Sequence, residues 1–252
     1  MQFDKLRRRE FITLLGSGAA TVWPIRAQAW PLAARAQQAT KVPRIGFLGL
    51  GTAAAWAPRV EALRAGLRDL GYIEGKTIII EFRWADGIEQ LREHAAALVE
   101  MKVDLIFAMT STETEAARAA TTTIPIVFAA HGDPVGTDHV KSLAQPGGNI
   151  IGLSMLLTDL AIKELEILKE GIPRATRIGV LWNPTTPSNP PALRAVEAAS
   201  EKLRVQVLGV PVRTEQYFEN ALSTMTRERV DSFLVIASPL TNWGRPSLAN
   251  SH

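Results

Sequence analysis

TIPIVFAAHGDPVGTDHVKSLAQPGGNIIGLS, residues 123–154, decides how the chain is read. An apolar run from Ile124 to Ala130 stops at His131, Gly132, Asp133 and Pro134, and polar or turn-forming residues then dominate through Gly147, Gly148 and Asn149. A strand buried on both faces reads as a continuous apolar run, and open parallel α/β sheets gather ligands at the carboxyl ends of such strands. A pocket is therefore expected at this edge.

Working outward, the same rhythm repeats. On the amino-terminal side, Arg44–Gly51 reads as a first strand and Trp56–Leu70 as a helix with Val60, Leu63, Leu67 and Leu70 on one face. Gly75–Ala85 follows as a strand, Ile88–Met101 as a helix, Val103–Ala108 as a strand and Glu113–Ala120 as a helix. Beyond Ser154, helices are expected over Leu157–Gly171, Pro190–Leu203 and Thr214–Thr226, alternating with strands Arg177–Trp182, Val205–Val210 and Val230–Ile236. Such alternation indicates βαβ units with right-handed crossovers and parallel sheets. Two alternating sets separated by a polar crossover predict an α/β protein of two lobes with a cleft between them.

Composition bounds the function. The chain has 252 residues, 46% of them hydrophobic, with no uninterrupted apolar window of transmembrane length. The net charge is +3, but residues 1–36 hold Lys5, Arg7, Arg8, Arg9, Arg26 and Arg35 against Asp4 and Glu10. That is +4, leaving 3 − 4 = −1 for the remainder, and a nucleic-acid partner loses its main support. The N-terminus reads as a twin-arginine export signal: Arg8-Arg9-Glu10-Phe11, a short apolar region to Trp23, and Ala34-Arg35-Ala36 as cleavage site. Ala27-Gln28-Ala29 offers a second cleavage site, and an amphipathic helix is the alternative reading. Cysteine is absent, which leaves neither disulfides nor a cysteine for lipid attachment, so a free periplasmic protein is expected.

Candidate binding residues lie at the strand ends. Gly49 and Gly51 could present N–H groups to a ligand or form a plain turn, and they lack the third glycine of a dinucleotide fingerprint. Thr110, Ser111 and Thr112 sit at a strand-to-helix junction, where hydroxyls cap the helix or the N-terminus holds a carboxylate. Asn183, in NPTTP, either starts a helix or faces a ligand from the second lobe. His131, Asp133, Asp138 and His139 are close in sequence, yet without a His pair at helical spacing they read as turn residues before metal ligands. No G-x-S-x-G and no G-x-x-x-x-G-K-[ST] string occurs, and Glu164 and Glu166 point to different sides of their helix. Trp56, Trp84, Trp182 and Trp243 could stack on an aromatic ligand, but most tryptophans are core or rim residues. Binding is the simpler reading, and no cofactor is expected.

The strings DPVG (133–136) and PGGN (146–149), with TTTIPIVF (121–128), resemble the ABC transporter substrate-binding family, whose best-known members bind tryptophan or tyrosine and phenylalanine. The resemblance runs from RRREFITLLG to about Ile236. It implies a type I periplasmic-binding-protein fold, an importer role, an ABC permease of the inner membrane as partner and a small polar or amino-acid-like solute, aromatic amino acids included. It also implies that Thr110, Ser111 and Thr112 hold the ligand carboxylate. Ala130, His131 and Asp133 would line the first lobe, with Asp133 receiving an ammonium group or capping its own turn, and Asn183 would line the second. The expected division is a signal at 1–36, a first lobe at 37–156, a partial second lobe at 157–237 and an irregular tail at 238–252. There PLTNWGRPSLANSH reads as a truncated or frameshifted end that leaves the second lobe incomplete. A non-functional relative and a small periplasmic α/β enzyme are the alternatives.

Overall fold

The computed structural model describes residues 42–240, all within one compact unit. Arg8, Arg9, Phe11, Ala34 and Ala36 of the export signal lie outside the described residues.

Two parallel sheets carry the structure. The first has the order β2-β1-β3-β4-β5, from β1 (Arg44–Leu50), β2 (Ile79–Ala85), β3 (Leu105–Ala108), β4 (Ile126–His131) and β5 (Ile150–Ser154). Its helices are α1 (Ala53–Asp69), α2 (Ile88–Glu100) and α3 (Ser111–Ala120). The second has the order β7-β6-β8, from β6 (Arg177–Trp182), β7 (Gln206–Pro211) and β8 (Ser232–Val235), with α4 (Leu157–Gly171), α5 (Asn189–Leu203) and α6 (Phe218–Arg227). Every ladder within the two sheets is parallel, so all strands of a sheet end on one edge. No described helix is long and apolar enough to cross a membrane.

Each sheet is sandwiched by side chains that alternate across the strand. In the first, Leu48, Ile106, Ala108, Ile126, Phe128 and Ile150 pack against α2 and α3 through Leu91, Leu98 and Ala117. On the opposite face Phe47 gathers Phe82, Trp84 and Phe107 at ring distances of 5.1, 5.1 and 5.4 Å, under Trp56 and Val60 of α1. In the second, Ile178, Val180, Leu234 and Ile236 meet α4 and α5, while Leu181 and Val210 meet α6. Burial on this scale is what drives the fold, at about 25 cal/mol for each Å² of apolar surface removed from water. Cover is thinner over the outer strands. Ile151 and Leu153 of β5 are 56% and 72% exposed, and Phe233 of β8 is 48% exposed.

Several bounds differ from the periodicity reading. The third helix begins at Ser111, two residues before Glu113, because Thr110 and Glu113 form a capping box that closes the first turn. The segment expected as one helix over Thr214–Thr226 is a 3-10 turn, Glu215–Tyr217, followed by α6. Strand β5 was not expected at all. It is five residues long and pairs with β4 through a bulge between Phe128 and His131, where Gly152 is needed: an added Cβ would lie 2.0 Å from the Phe128 carbonyl oxygen. Pro239 and Leu240, assigned to the irregular tail, have helical backbone. Proline suits an opening helical turn, since its missing N–H would have no partner there.

Candidate functional site

The lobes meet where their strands end. From β5 the chain enters α4 through Met155 and Leu156, and this crossing is clamped to β4: the Met155 N–H donates to the His131 carbonyl and the Leu157 N–H to the Gly132 carbonyl, both at 2.8 Å. Leu156 takes a left-handed φ of 51°, which for a leucine is strained backbone held by its surroundings.

A cleft of about 1350 Å³ opens along this junction. One end is apolar, walled by Trp56 and Leu63 of α1, Met109 just beyond β3, Val127 and Ala129 of β4, and Ile151 and Leu153 of the thinly covered β5. Trp56 is fixed there by donating its indole N–H to the Leu50 carbonyl at 2.7 Å, and the Arg59 guanidinium lies 5.1 Å above its ring. The other end is polar and uses both lobes. Ser111, the first residue of α3, and Ser188, the residue just before α5, bring their hydroxyl oxygens within 3.2 Å across the gap, beside Gly132 and Thr186. Two helix N-termini with their positive dipole ends thus converge near one point. A second cavity of about 230 Å³ adjoins it, lined by Gly51, Asp86, Thr112, Asn183, Thr185 and Arg213 among others, and it shares Thr186 and Pro239 with the first.

The candidate residues divide accordingly. Ser111, Thr112, Ala130, Gly51 and Asn183 all line one cavity or the other. Gly51 takes a φ of 94° and donates its N–H to Ala85 at 2.7 Å, so the glycine is required by the turn itself. Gly49 is part of the β1 ladder, where a Cβ would strike the Trp84 ring at 2.3 Å, and it lines neither cavity. Thr110 borders the larger cleft, but its hydroxyl and N–H both donate to the Glu113 carboxylate. Asn183 is buried, its side-chain oxygen accepting from the N–H and hydroxyl of Thr185 at 2.9 and 2.7 Å. Asp133 takes the turn-capping role: its carboxylate accepts from the Gly136 N–H at 2.7 Å and the Thr158 hydroxyl at 2.5 Å. An expected ammonium receptor is therefore already satisfied by the protein.

His131 also departs from expectation. Its side chain is fully buried, edge-on to Phe128, and lines neither cavity. It lies at the end of a relay: the Glu115 carboxylate, flanked by Arg118, is 2.6 Å from His139 Nε2, and His139 Nδ1 is 2.6 Å from His131 Nε2. An ionised carboxylate only accepts, so His139 donates from Nε2, leaving Nδ1 to accept from a proton on His131 Nε2. His131 Nδ1 is then an acceptor, and it is buried without a partner. Burial, with the neighbouring His139, pushes the His131 imidazole down to about 3. Burial also lowers His139, against the opposing pull of Glu115. Burial raises Glu115, but the hydrogen bonds from Arg118 and His139 outweigh it and hold the carboxyl below its usual range. Among the described residues no cluster of three or more His, Asp or Glu is arranged to hold a metal ion.

Glu113 was missed by the sequence reading. It is wholly buried beneath the strand ends, accepting from the N–H of Leu50 at 3.1 Å and of Thr110 at 3.0 Å, and thereby ties the end of β1 to the start of α3. Desolvation raises its carboxyl above the ordinary value although these hydrogen bonds pull the other way. The string Thr110-Ser-Thr-Glu113 is a capping-box signature and would have located it.

A sequence profile of the ABC transporter substrate-binding proteins matches residues 54–242. The chain belongs to this family. A tyrosine-binding protein of Clostridioides difficile (strain R20291) is 31% identical over 183 residues, which are 70% of this chain and 52% of that protein. Among solved structures, a conserved domain protein from Vibrio cholerae O1 biovar El Tor is similar with a TM-score of 0.69 and 27% identity, over 77% of this chain and 64% of that one. An ABC domain in complex with L-Trp from Streptococcus pneumonia gives a TM-score of 0.70 at 23% identity, over 82% and 69%, and speaks for the fold alone. The chain thus has the type I periplasmic-binding-protein fold, with three strands in its second sheet among the described residues, and it spans about half the length of its curated relative.

Proposed function

We propose that the chain is the solute-capturing component of an ABC-type importer, holding a small amino-acid-like molecule with an apolar, and by preference aromatic, body between its lobes. The observation that carries this is the cleft with one apolar end at Trp56 and Met109 and one polar end where Ser111 and Ser188 of opposite lobes meet at 3.2 Å. Apolar walls with a few convergent polar groups are the usual form of a small-molecule site. The name of the relative that is 31% identical supports an amino acid. On this reading the work is capture: the lobes close over the solute by movement at the crossing and the closed form docks on a membrane permease. The periplasm and the twin-arginine route of export belong to the same proposal.

Thermal unfolding of the full chain with a panel of amino acids and small carboxylates tests it. A solute present at 100 times its dissociation constant adds about 2.7 kcal/mol, a rise of roughly 5–10 °C for a protein of this size. The bound solute should be recovered chemically unchanged after prolonged incubation. No shift with any compound, or conversion of the compound that binds, sinks the reading.

A further inference from the structure

Asp86 and Arg213 occupy equivalent corners of the two lobes. Asp86 is the first residue beyond β2, the outer strand beside β1, and Arg213 comes two residues beyond β7, the outer strand beside β6. The main chain is tied down next to each: the Gly51 N–H donates to the Ala85 carbonyl at 2.7 Å, and the Val212 N–H to the Trp182 carbonyl at 2.8 Å. Both side chains are exposed, both line the 230 Å³ cavity, and neither makes a side-chain hydrogen bond or ion pair among the described residues. Thr112 and Thr185 line the same cavity. The volume equals roughly eight water molecules, enough for a small charged head group with its solvation replaced. Thr186 and Pro239 belong to both cavities, so an apolar body in the larger cleft can continue into this one.

A carboxylate from one lobe and a guanidinium from the other match a molecule carrying both charges. We infer that the smaller cavity reads the zwitterionic head group of a free α-amino acid, Asp86 accepting from the ammonium and Arg213 donating to the carboxylate. This rests on the solute-binding reading above, and it moves the ammonium contact from Asp133, whose oxygens are already engaged, to Asp86. The planar guanidinium suits a carboxylate in a way that a point charge does not. Because each lobe supplies one charge, only the closed form satisfies both, and closure favours amino acids over their deaminated or decarboxylated analogues.

Isothermal titration of the full chain with L-tyrosine, tyramine and 3-(4-hydroxyphenyl)propionate tests the assignment, using wild type, Asp86→Asn and Arg213→Gln. Wild type should bind tyrosine about 10- to 100-fold more tightly than either analogue, the range of one charged hydrogen bond. Asp86→Asn should weaken tyrosine and tyramine while leaving the propionate unchanged, and Arg213→Gln should weaken tyrosine and the propionate while leaving tyramine unchanged. Equal tyrosine affinity in either variant overturns the assignment. So does equal weakening of all three compounds, which would make the two residues a latch between lobes. Both side chains are exposed, so the melting temperatures of the variants should match wild type. Failure of the wild type to bind tyrosine or any other amino acid overturns the solute-binding reading itself, and this assignment with it.

Discussion

Acidification should weaken this protein through one buried imidazole. The folded state keeps His131 neutral with its value near 3, against 6.5 for the free side chain, so as pH falls the unfolded chain takes up a proton that the folded chain refuses. The depressed folded value means that the stability is complete above 6.5 and is lost progressively as pH falls toward 3. Integrated from pH 7 to pH 5, the loss comes to about 2 kcal/mol for His131 alone. Because His139 is also lowered, it adds to the loss with the same sign, and the two rings titrate as a pair facing Glu115, Arg118 and Asp138. With a urea dependence of about 2 kcal/mol per molar, the midpoint should drop by about 1 M between pH 7 and pH 5. His131→Gln retains a donor toward His139 Nδ1 but cannot titrate, so its midpoint should fall by clearly less over the same interval. The measurement is a set of urea transitions at pH 5, 6 and 7 for both proteins. A variant with the slope of wild type, or a wild type with no slope, would refute the reasoning.

Three further variants have expected outcomes. Glu113→Gln turns an amide NH₂ toward at least one of the Leu50 and Thr110 N–H groups, leaving a buried donor without an acceptor; this should cost about 1–3 kcal/mol in chemical denaturation. The same variant should relieve the loss of stability that wild type suffers from this group as pH rises through its elevated folded value, and an unchanged pH profile would count against that. Gly152→Ala presses a Cβ to 2.0 Å from a backbone oxygen that cannot swing away, so a loss of at least about 2 kcal/mol should appear in the melting temperature, and a shift within one degree contradicts the bulge geometry. Gly132→Ala places a Cβ 2.4 Å from the Ser188 hydroxyl across the cleft, so it should weaken solute binding about 10-fold or more by titration, and wild-type affinity would show that the lobes need not approach here.

The parts of the fold that were legible are those where one element buries one face. Strand β6 and helix α4 have the limits that their apolar runs predict, since neither depends on a distant partner to start or stop. Strand β5 escaped because IIGLS has little burial to advertise: after Ile150, its next three residues are exposed, and it is held by the β4 ladder and by a glycine under a carbonyl. The early start of α3 was present in Thr110 and Glu113, a local signal that periodicity alone does not register.

The candidate site divides along the same line. Ser111, Thr112 and Asn183 could be placed from sequence because the ends of parallel strands must converge on one edge, whatever the side chains there do next. What each side chain touches was beyond reach, because it depends on loop closure. The His139 and Val140 N–H groups both reach back to the Pro134 carbonyl at 3.0 Å, and that turn carries the His139 ring between His131 and a glutamate 24 residues earlier. Asp133 spends its oxygens within the same turn and on Thr158, so of its two expected roles the structure shows the turn cap. Asp86 and Arg213 show the converse. Each looks like an ordinary exposed charge beside a turn, and only the matching strand orders of two separate sheets bring them to one cavity. A binding site built from corresponding corners of two lobes has no sequence spacing of its own, which is why topology had to be known before its charges could be read.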